Sequence, residues 1–210
     1  MKILVVDDHA VVRKGICQIL AANFGAEIDE AASGPEAMSK VLNENYDIVL
    51  LDISIPGRNG LEIMKLMKAE KPRLPILILT MHPEEHYAIR ALRSGASGYL
   101  TKDCEPEELI DAVTRVADGK QYITDKLQEI VIYELRTESI LNNMPEKNLS
   151  DRELQIAVMI SSGKTVGQIA NELALSIQTV STYRIRLLNK MNMRTNAEIT
   201  AYMVRQGLVP

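Results

Sequence analysis

Five side chains in this 210-residue sequence are of the types that handle phosphoryl groups, and each follows a short apolar run. Asp7 and Asp8 come after residues 3–6, Asp52 after 48–51, Thr80 after 76–79, and Lys102 closely after 98–100. If those runs are strands of a doubly wound parallel sheet, all five side chains stand at carboxyl ends along one edge, where such sheets build their sites. Three clustered carboxylates repel one another at neutral pH and need a counter-charge. Hard oxygen donors suit Mg²⁺, which keeps several waters and takes one or two carboxylates plus phosphate oxygens. An Asp nucleophile, a metal over the equatorial oxygens, and Lys and Thr on the transferred group together make a phosphoryl-transfer site. A single acid at a strand end would equally well cap a helix or face solvent. It is the placement of all five that favours a site.

Several elements must position these residues. The first 120 or so residues alternate apolar runs, including a less clear one at 26–31, with segments whose apolar residues recur at helical spacing, such as Val11, Ile16, Ile19 and Leu20. Five strands alternating with five helices predict a flavodoxin-like α/β domain, its five-stranded parallel sheet covered on both faces. Pro35, Gly60, Pro106 and Gly119 mark helix starts and stops. We expect this domain to span residues 1–121. Residues 122–146 read as a partly helical, acidic linker: Ile123, Leu127, Ile130, Val131 and Leu135 share a helical face before Asn142-Asn143-Met144-Pro145 breaks the pattern.

Residues 147–210 read as a small all-α domain of four helices. Ser150-x-x-Glu153 and Thr165-x-x-Gln168 match the capping box, Ser176 precedes a third periodic run, and Asn196 is placed to cap a fourth that Gly207 ends. Residues 165–173 and 177–191, joined at Leu175-Ser176, have helix-turn-helix spacing. Ile169, Ala170, Leu173, Ile177, Val180, Leu187 and Met191 are expected to face inward, leaving the second helix free to enter a major groove. Its candidate DNA contacts are Gln178, Thr179, Ser181, Thr182, Ile185 and Arg186, with Arg184 and Lys190 flanking them. Uncharged Ser, Thr and Gln and a methyl-bearing Ile can read base edges, while Arg and Lys hold phosphates.

The charge distribution agrees with two jobs. Residues 1–121 carry 14 Lys+Arg against 19 Asp+Glu (−5), residues 122–146 carry 2 against 5 (−3), and residues 147–210 carry 8 against 4 (+4), so any polyanion belongs to the tail. No long uncharged apolar stretch and no signal-peptide pattern is present, which predicts a cytoplasmic chain with no membrane partner. Cys17 and Cys104 are too few for a disulfide framework or zinc site and are expected to pack. Gly163-Lys164-Thr165 is not a P-loop: Val158 stands where its first glycine is needed. RNA binding by stacking is disfavoured by Trp 0 and Phe 1. His9 is expected at the surface of a helix start and His86 in solvent. His82, two residues past Thr80, is near enough to regulate water access to a phosphoryl group.

Val5-Val6-Asp7-Asp8-His9, the run Leu50 to Gly57, Ile78-Leu79-Thr80 and Gly98-Tyr99-Leu100-Thr101-Lys102 resemble the signature of two-component receiver domains. Leu149-Ser150-Asp151-Arg152-Glu153, Gln168-Ile169-Ala170, Leu175-Ser176 and Thr179-Val180-Ser181-Thr182-Tyr183 resemble the LuxR-type helix-turn-helix of the NarL/FixJ family. The resemblance implies a response regulator transcription factor, which accepts phosphate on Asp52 from a sensor histidine kinase without being a turnover enzyme. It implies Mg²⁺ on Asp8, Asp52 and the Ser54 carbonyl, with Asp7 acting mainly through water. Thr80 and Lys102 would hold phosphoryl oxygens, and Tyr99 would be the aromatic whose orientation follows Thr80. Double-stranded DNA and a second copy of the chain, paired on phosphorylation, are the implied partners. Three departures are visible: Asp103, not proline, follows Lys102; Ile55 stands where methionine is frequent; and Ser181 and Tyr183 stand where relatives often carry Lys and His. An aspartate-nucleophile phosphatase, the competing enzyme class, usually places a second acid two residues after the nucleophile, and Ser54 stands there.

Overall fold

Strand propensity and apolar patterning place β1 at Lys2–Val6, β2 at Glu27–Ala31, β3 at Ile48–Leu51, β4 at Ile76–Thr80 and β5 at Gly98–Thr101 in the computed structural model, which describes residues 1–141 and 145–209. All pairings are parallel, in the order β2-β1-β3-β4-β5. Helices α1 (Ala10–Phe24), α2 (Gly34–Asn43), α3 (Gly60–Glu70) and α4 (Glu84–Arg93) supply the four crossovers, as parallel pairing requires, and α5 (Pro106–Ala117) follows β5. The flavodoxin-like expectation therefore holds. Central strands β3 and β4 are buried at every residue, which is why they read as unbroken apolar runs. Strand β2 lies at an edge, is mostly half-buried and has the sequence EIDEA, so its apolar signal was faint.

One core cluster joins Ile3, Val5, Leu50, Leu77 and Leu79 of the sheet to Ile16 and Leu20 of α1 and to Leu109, Val113 and Val116 of α5. Cys17 and Cys104 pack against this cluster as free thiols. Burial pushes both thiols up to about 11, which fits inert packing residues.

Two compact units divide the chain, Met1–Ile130 and Val131–Pro210. The first runs past α5. Tyr122 donates its amide to Ser97 O at 2.9 Å and bridges Gly98 in parallel register. A Cβ on Gly98 would stand 2.8 Å from Tyr122 O, so glycine is what lets the chain approach β5 this closely. Leu127 is fully buried. A helix α6 spans Asp125–Leu141, so the segment read as a partly helical linker begins against the first unit. Of its predicted breaker, Asn142, Asn143 and Met144 lie outside the described residues.

In the second unit a 3₁₀ turn at Pro145–Asn148 leads into α7 (Asp151–Ser161), α8 (Val166–Glu172), α9 (Ile177–Met191) and α10 (Asn196–Arg205). Both capping boxes form, with Ser150 and Glu153 and with Thr165 and Gln168 bonding reciprocally, and Ser176 caps α9. The α8–α9 turn places Ala174 at φ 51, a left-handed conformation costing a non-glycine residue about 1–2 kcal/mol, and Leu175 N closes it on Ala170 O at 2.8 Å. Ile169, Ala170, Leu173, Val180, Leu187 and Met191 are buried with Ile199 and Met203 of α10.

Three expectations need correction. Thr195, not Asn196, caps α10, its side chain accepting from Glu198 N; Asn196 is already helical. Ile177, expected inside, is 63% exposed, because the first residue of α9 projects beyond the contact with α8. His86 is only half-exposed and its ring lies edge-on to Tyr87, centroids 6.4 Å apart.

Candidate functional site

The β1–β3 register pairs Val6 with Leu51, so the residues that follow, Asp7 and Asp52, emerge side by side. Asp52 N donates to Val6 O at 3.0 Å, and beyond the next pair of strand ends Lys102 N donates to Thr80 O at 2.8 Å. Lys102 Nζ then lies 2.6 Å from Asp52 Oδ2 and 2.7 Å from Asp7 Oδ2. All three side chains are almost completely buried. Burial works against the ammonium, but Asp52 and Asp7 outweigh it and hold the Lys102 pKa above its ordinary value. Asp7, Asp8, His9 and Asp52 offer donor atoms within 4.8 Å of one another.

Each acid is oriented locally. Asp7 Oδ1 accepts from His9 N at 2.8 Å, and Asp52 Oδ1 accepts from Ser54 N at 3.2 Å. Asp7 Oδ2 and Asp8 Oδ1 are buried atoms that receive no hydrogen bond of good geometry; their close neighbours are the Lys102 and His9 nitrogens. Three converging carboxylates with a single buried ammonium among them are what a hard cation neutralises. The residues present therefore fit a divalent ion. His9 is two-thirds exposed, and Mg²⁺ prefers oxygen.

Thr80 is fully buried and its Oγ1 accepts weakly from His82 N at 3.5 Å. His82 Nε2 is 2.8 Å from Ser54 Oγ. The Tyr99 ring is fully inside, and its hydroxyl donates to His82 O at 2.8 Å, so β5 holds the loop leading into α4. Burial raises the Tyr99 pKa well above normal, keeping that donor protonated. Sequence reading thus brought together Asp7, Asp8, Asp52, Ser54, Thr80, Tyr99 and Lys102 at one end of the sheet. It missed what supports them. A Cβ on Gly60 would meet Asp52 O at 2.1 Å; the only clue was a glycine at a helix start. Arg13, on α1, reaches back to the Asp7 carbonyl, and nothing in its spacing announced that.

On α9, Gln178, Thr182, Ile185, Arg186 and Lys190 are exposed, and Thr179, Ser181 and Arg184 half-buried. Several are already engaged. Arg184 Nε donates to Asn196 Oδ1 at 2.6 Å, Lys190 Nζ to Glu153 Oε2 at 2.6 Å, Thr182 Oγ1 to Gln178 O, and Thr179 N to Ser176 Oγ. Of the three cations proposed to hold phosphates, two therefore also tie the helices of their own domain.

The response regulator receiver domain matches residues 3–114, and the luxR family of bacterial regulatory proteins matches residues 147–203. The response regulator UvrY of Escherichia coli (strain K12) is 36% identical over 99% of this chain and 95% of its own length. This chain belongs to the NarL/FixJ response regulators. It is a response regulator with a receiver and a LuxR-type DNA-binding domain, and its relatives are transcription regulators. The response regulator GacA of Pseudomonas syringae pv. syringae is likewise 36% identical, over 100% of this chain and 98% of that protein. Among solved structures, a LuxR-family two-component response regulator from Aurantimonas sp. SI85-9A1 has 32% identity and a TM-score of 0.60, covering 63% of this chain and 96% of that one. RcsB from Salmonella enterica serovar Typhimurium, bound to a promoter in the presence of the phosphomimetic BeF3⁻, covers 97% of each chain with a TM-score of 0.59. Its 22% identity speaks to fold alone. Among the described residues no helix is long and apolar enough to cross a membrane.

Proposed function

We propose that this response regulator takes a phosphoryl group from the phosphohistidine of a sensor kinase onto Asp52 and thereby controls its own binding to DNA in the cytoplasm. The observation that carries the reading is the buried Lys102 ammonium shared by Asp52 and Asp7, with the Asp8 carboxylate converging on the same pocket. Asp8, Asp52 and the Ser54 carbonyl would hold Mg²⁺, with Asp7 reaching it through water. The ion supplies positive charge that offsets repulsion between the acids and the incoming phosphoryl group.

An Asp52 carboxylate oxygen attacks phosphorus in line with the departing imidazole nitrogen, and the acyl phosphate formed keeps its negative oxygens between Lys102 and Thr80. Phosphorylation adds charge and acceptors at one end of the sheet. The receiver conformer that best satisfies them gains population. Thr80, Tyr99 and the loop they share are the residues through which that preference leaves the pocket.

We assign residues 1–121 to the receiver, 122–146 to the linker and 147–210 to the DNA-binding domain. On DNA, Gln178, Thr179, Ser181, Thr182 and Ile185 would face base edges, with Arg184, Arg186 and Lys190 near phosphates. Two copies paired on phosphorylation would set their α9 helices in half-sites about one helical turn apart. RcsB, a protein of this fold, is known bound to a promoter in the presence of a phosphoryl mimic, so the architecture is compatible with such a reading.

Incubation with acetyl phosphate and Mg²⁺, followed by intact-mass and DNA-binding measurements, tests it. Wild type should gain one phosphoryl group and bind selected DNA more tightly, whereas Asp52→Asn should do neither. Equal labelling or equal tightening in Asp52→Asn would sink the proposal.

A further inference from the structure

Arg13 sits in the second turn of α1, mostly buried, with 13% of its side chain exposed. One arm of its guanidinium donates to the backbone carbonyl of Asp7 at 2.5 Å. Its Nε donates to Glu30 Oε2 on β2 at 2.7 Å. Its own amide donates to His9 O at 2.9 Å. The loop carrying Asp7, Asp8 and His9 is thus held at its first peptide by a side chain and at its last by a backbone bond, both from the same residue.

We infer that Arg13 is a positioning residue for the cation-binding acids: it fixes the Asp7–Asp8 peptide so that both carboxylates point into one pocket. The inference rests on the divalent-ion reading given above. Three observations support it. The carbonyl that Arg13 holds belongs to the peptide joining the two acids, so its orientation sets where the Asp8 side chain departs. A planar, forked guanidinium can bond the Asp7 carbonyl and Glu30 at once, which a single ammonium on a flexible stem does poorly. Glu30 offsets the Arg13 charge, so the arginine can sit behind a cation site without simply repelling its ion.

This last point gives the inference a test of sign. If Arg13 acted only through its charge, removing it would strengthen Mg²⁺ binding, since a like charge behind the pocket disappears. A positioning role predicts the opposite. Isothermal titration of the full chain with MgCl₂ should show Arg13→Gln binding roughly 10–100-fold more weakly than wild type, the usual effect of losing a group that orients metal ligands. Arg13→Lys keeps the charge and guards against a fold defect in the first variant. It should also bind Mg²⁺ more weakly, with unchanged far-ultraviolet dichroism. Glu30→Gln leaves the fork half-anchored and its charge uncompensated, and should weaken binding as well. Wild-type affinity in Arg13→Lys, or equal or tighter binding in Arg13→Gln, overturns the inference while leaving the metal site intact. Absence of Mg²⁺ binding by wild type overturns the site reading itself, and the inference with it.

Discussion

Asp52 shares its surroundings with a histidine that phosphoryl chemistry does not require. His82 Nε2 lies 2.8 Å from Ser54 Oγ, joining the loop after β4 to the loop after β3 beside Asp52. On an Asp52 phosphorylated as proposed, a pair that bridges two loops there would limit how water approaches the acyl phosphate. His82→Ala should therefore shorten the half-life of phosphorylated Asp52 several-fold, followed by loss of the added mass after acetyl phosphate is removed. An unchanged rate would reduce the contact to packing. Residue chemistry of this kind was partly legible in the chain. The acids, Thr80 and Lys102 declare themselves by type and by position after apolar runs, because strand ends are where a parallel sheet exposes them. The partnership of Ser54 with His82 depends on two loops meeting in space, and local patterning carries no information about that.

Helices and loops hold the site in place, and here the sequence spoke unevenly. Capping boxes are local, so Ser150–Glu153 and Thr165–Gln168 could be read directly, and the span of α9 followed from its periodicity. Ile177 was misread because a periodic pattern continues through the first turn of a helix even where no neighbour covers it. Gly60 looked like mere punctuation. Its missing Cβ is what allows α3 to begin against the Asp52 carbonyl. Gly60→Ala must push that contact apart, at about 1–3 kcal/mol of overpacking. It should lower the urea midpoint and slow acetyl phosphate labelling of Asp52; a variant with wild-type stability and labelling would contradict the geometry.

The α7–α9 tie titrates. Burial alone would raise the Glu153 pKa, but Lys190 and the Ser150 cap outweigh it and hold it below the ordinary carboxylate range. A depressed folded pKa means the stabilisation is complete above the unfolded value, about 4.3, and is lost as pH falls through the folded one. Amide exchange in α7 and α9 should accelerate below about pH 4.3 in wild type. In Glu153→Gln that acid dependence should be shallower. Parallel profiles would assign the acid sensitivity to other groups.

Across the whole molecule, the first compact unit ends at Ile130, past the 121 that punctuation by Gly119 suggests. The sequence placed the change of character at Tyr122 because the apolar alternation stops there, yet Tyr122 remains on the sheet and Thr124 on α4, and Leu127 is fully buried. Thr124 Oγ1 donates to the buried Glu84 at 2.6 Å while also receiving Leu127 N, and Lys126 pairs with Glu85 at 2.7 Å. Such ties join residues far apart in the chain, so no window of local sequence shows them.

The bridge between Tyr122 and Gly98 carries a consequence for how this protein avoids sticking to itself. β5 is the outermost strand on its side of the sheet, and a bare outer strand is a template on which another chain can add. Tyr122 occupies part of that rim. A fragment of residues 1–121 should form concentration-dependent oligomers in sedimentation experiments, where one of residues 1–130 stays monomeric. Two monomeric fragments would show that the rim needs no guard.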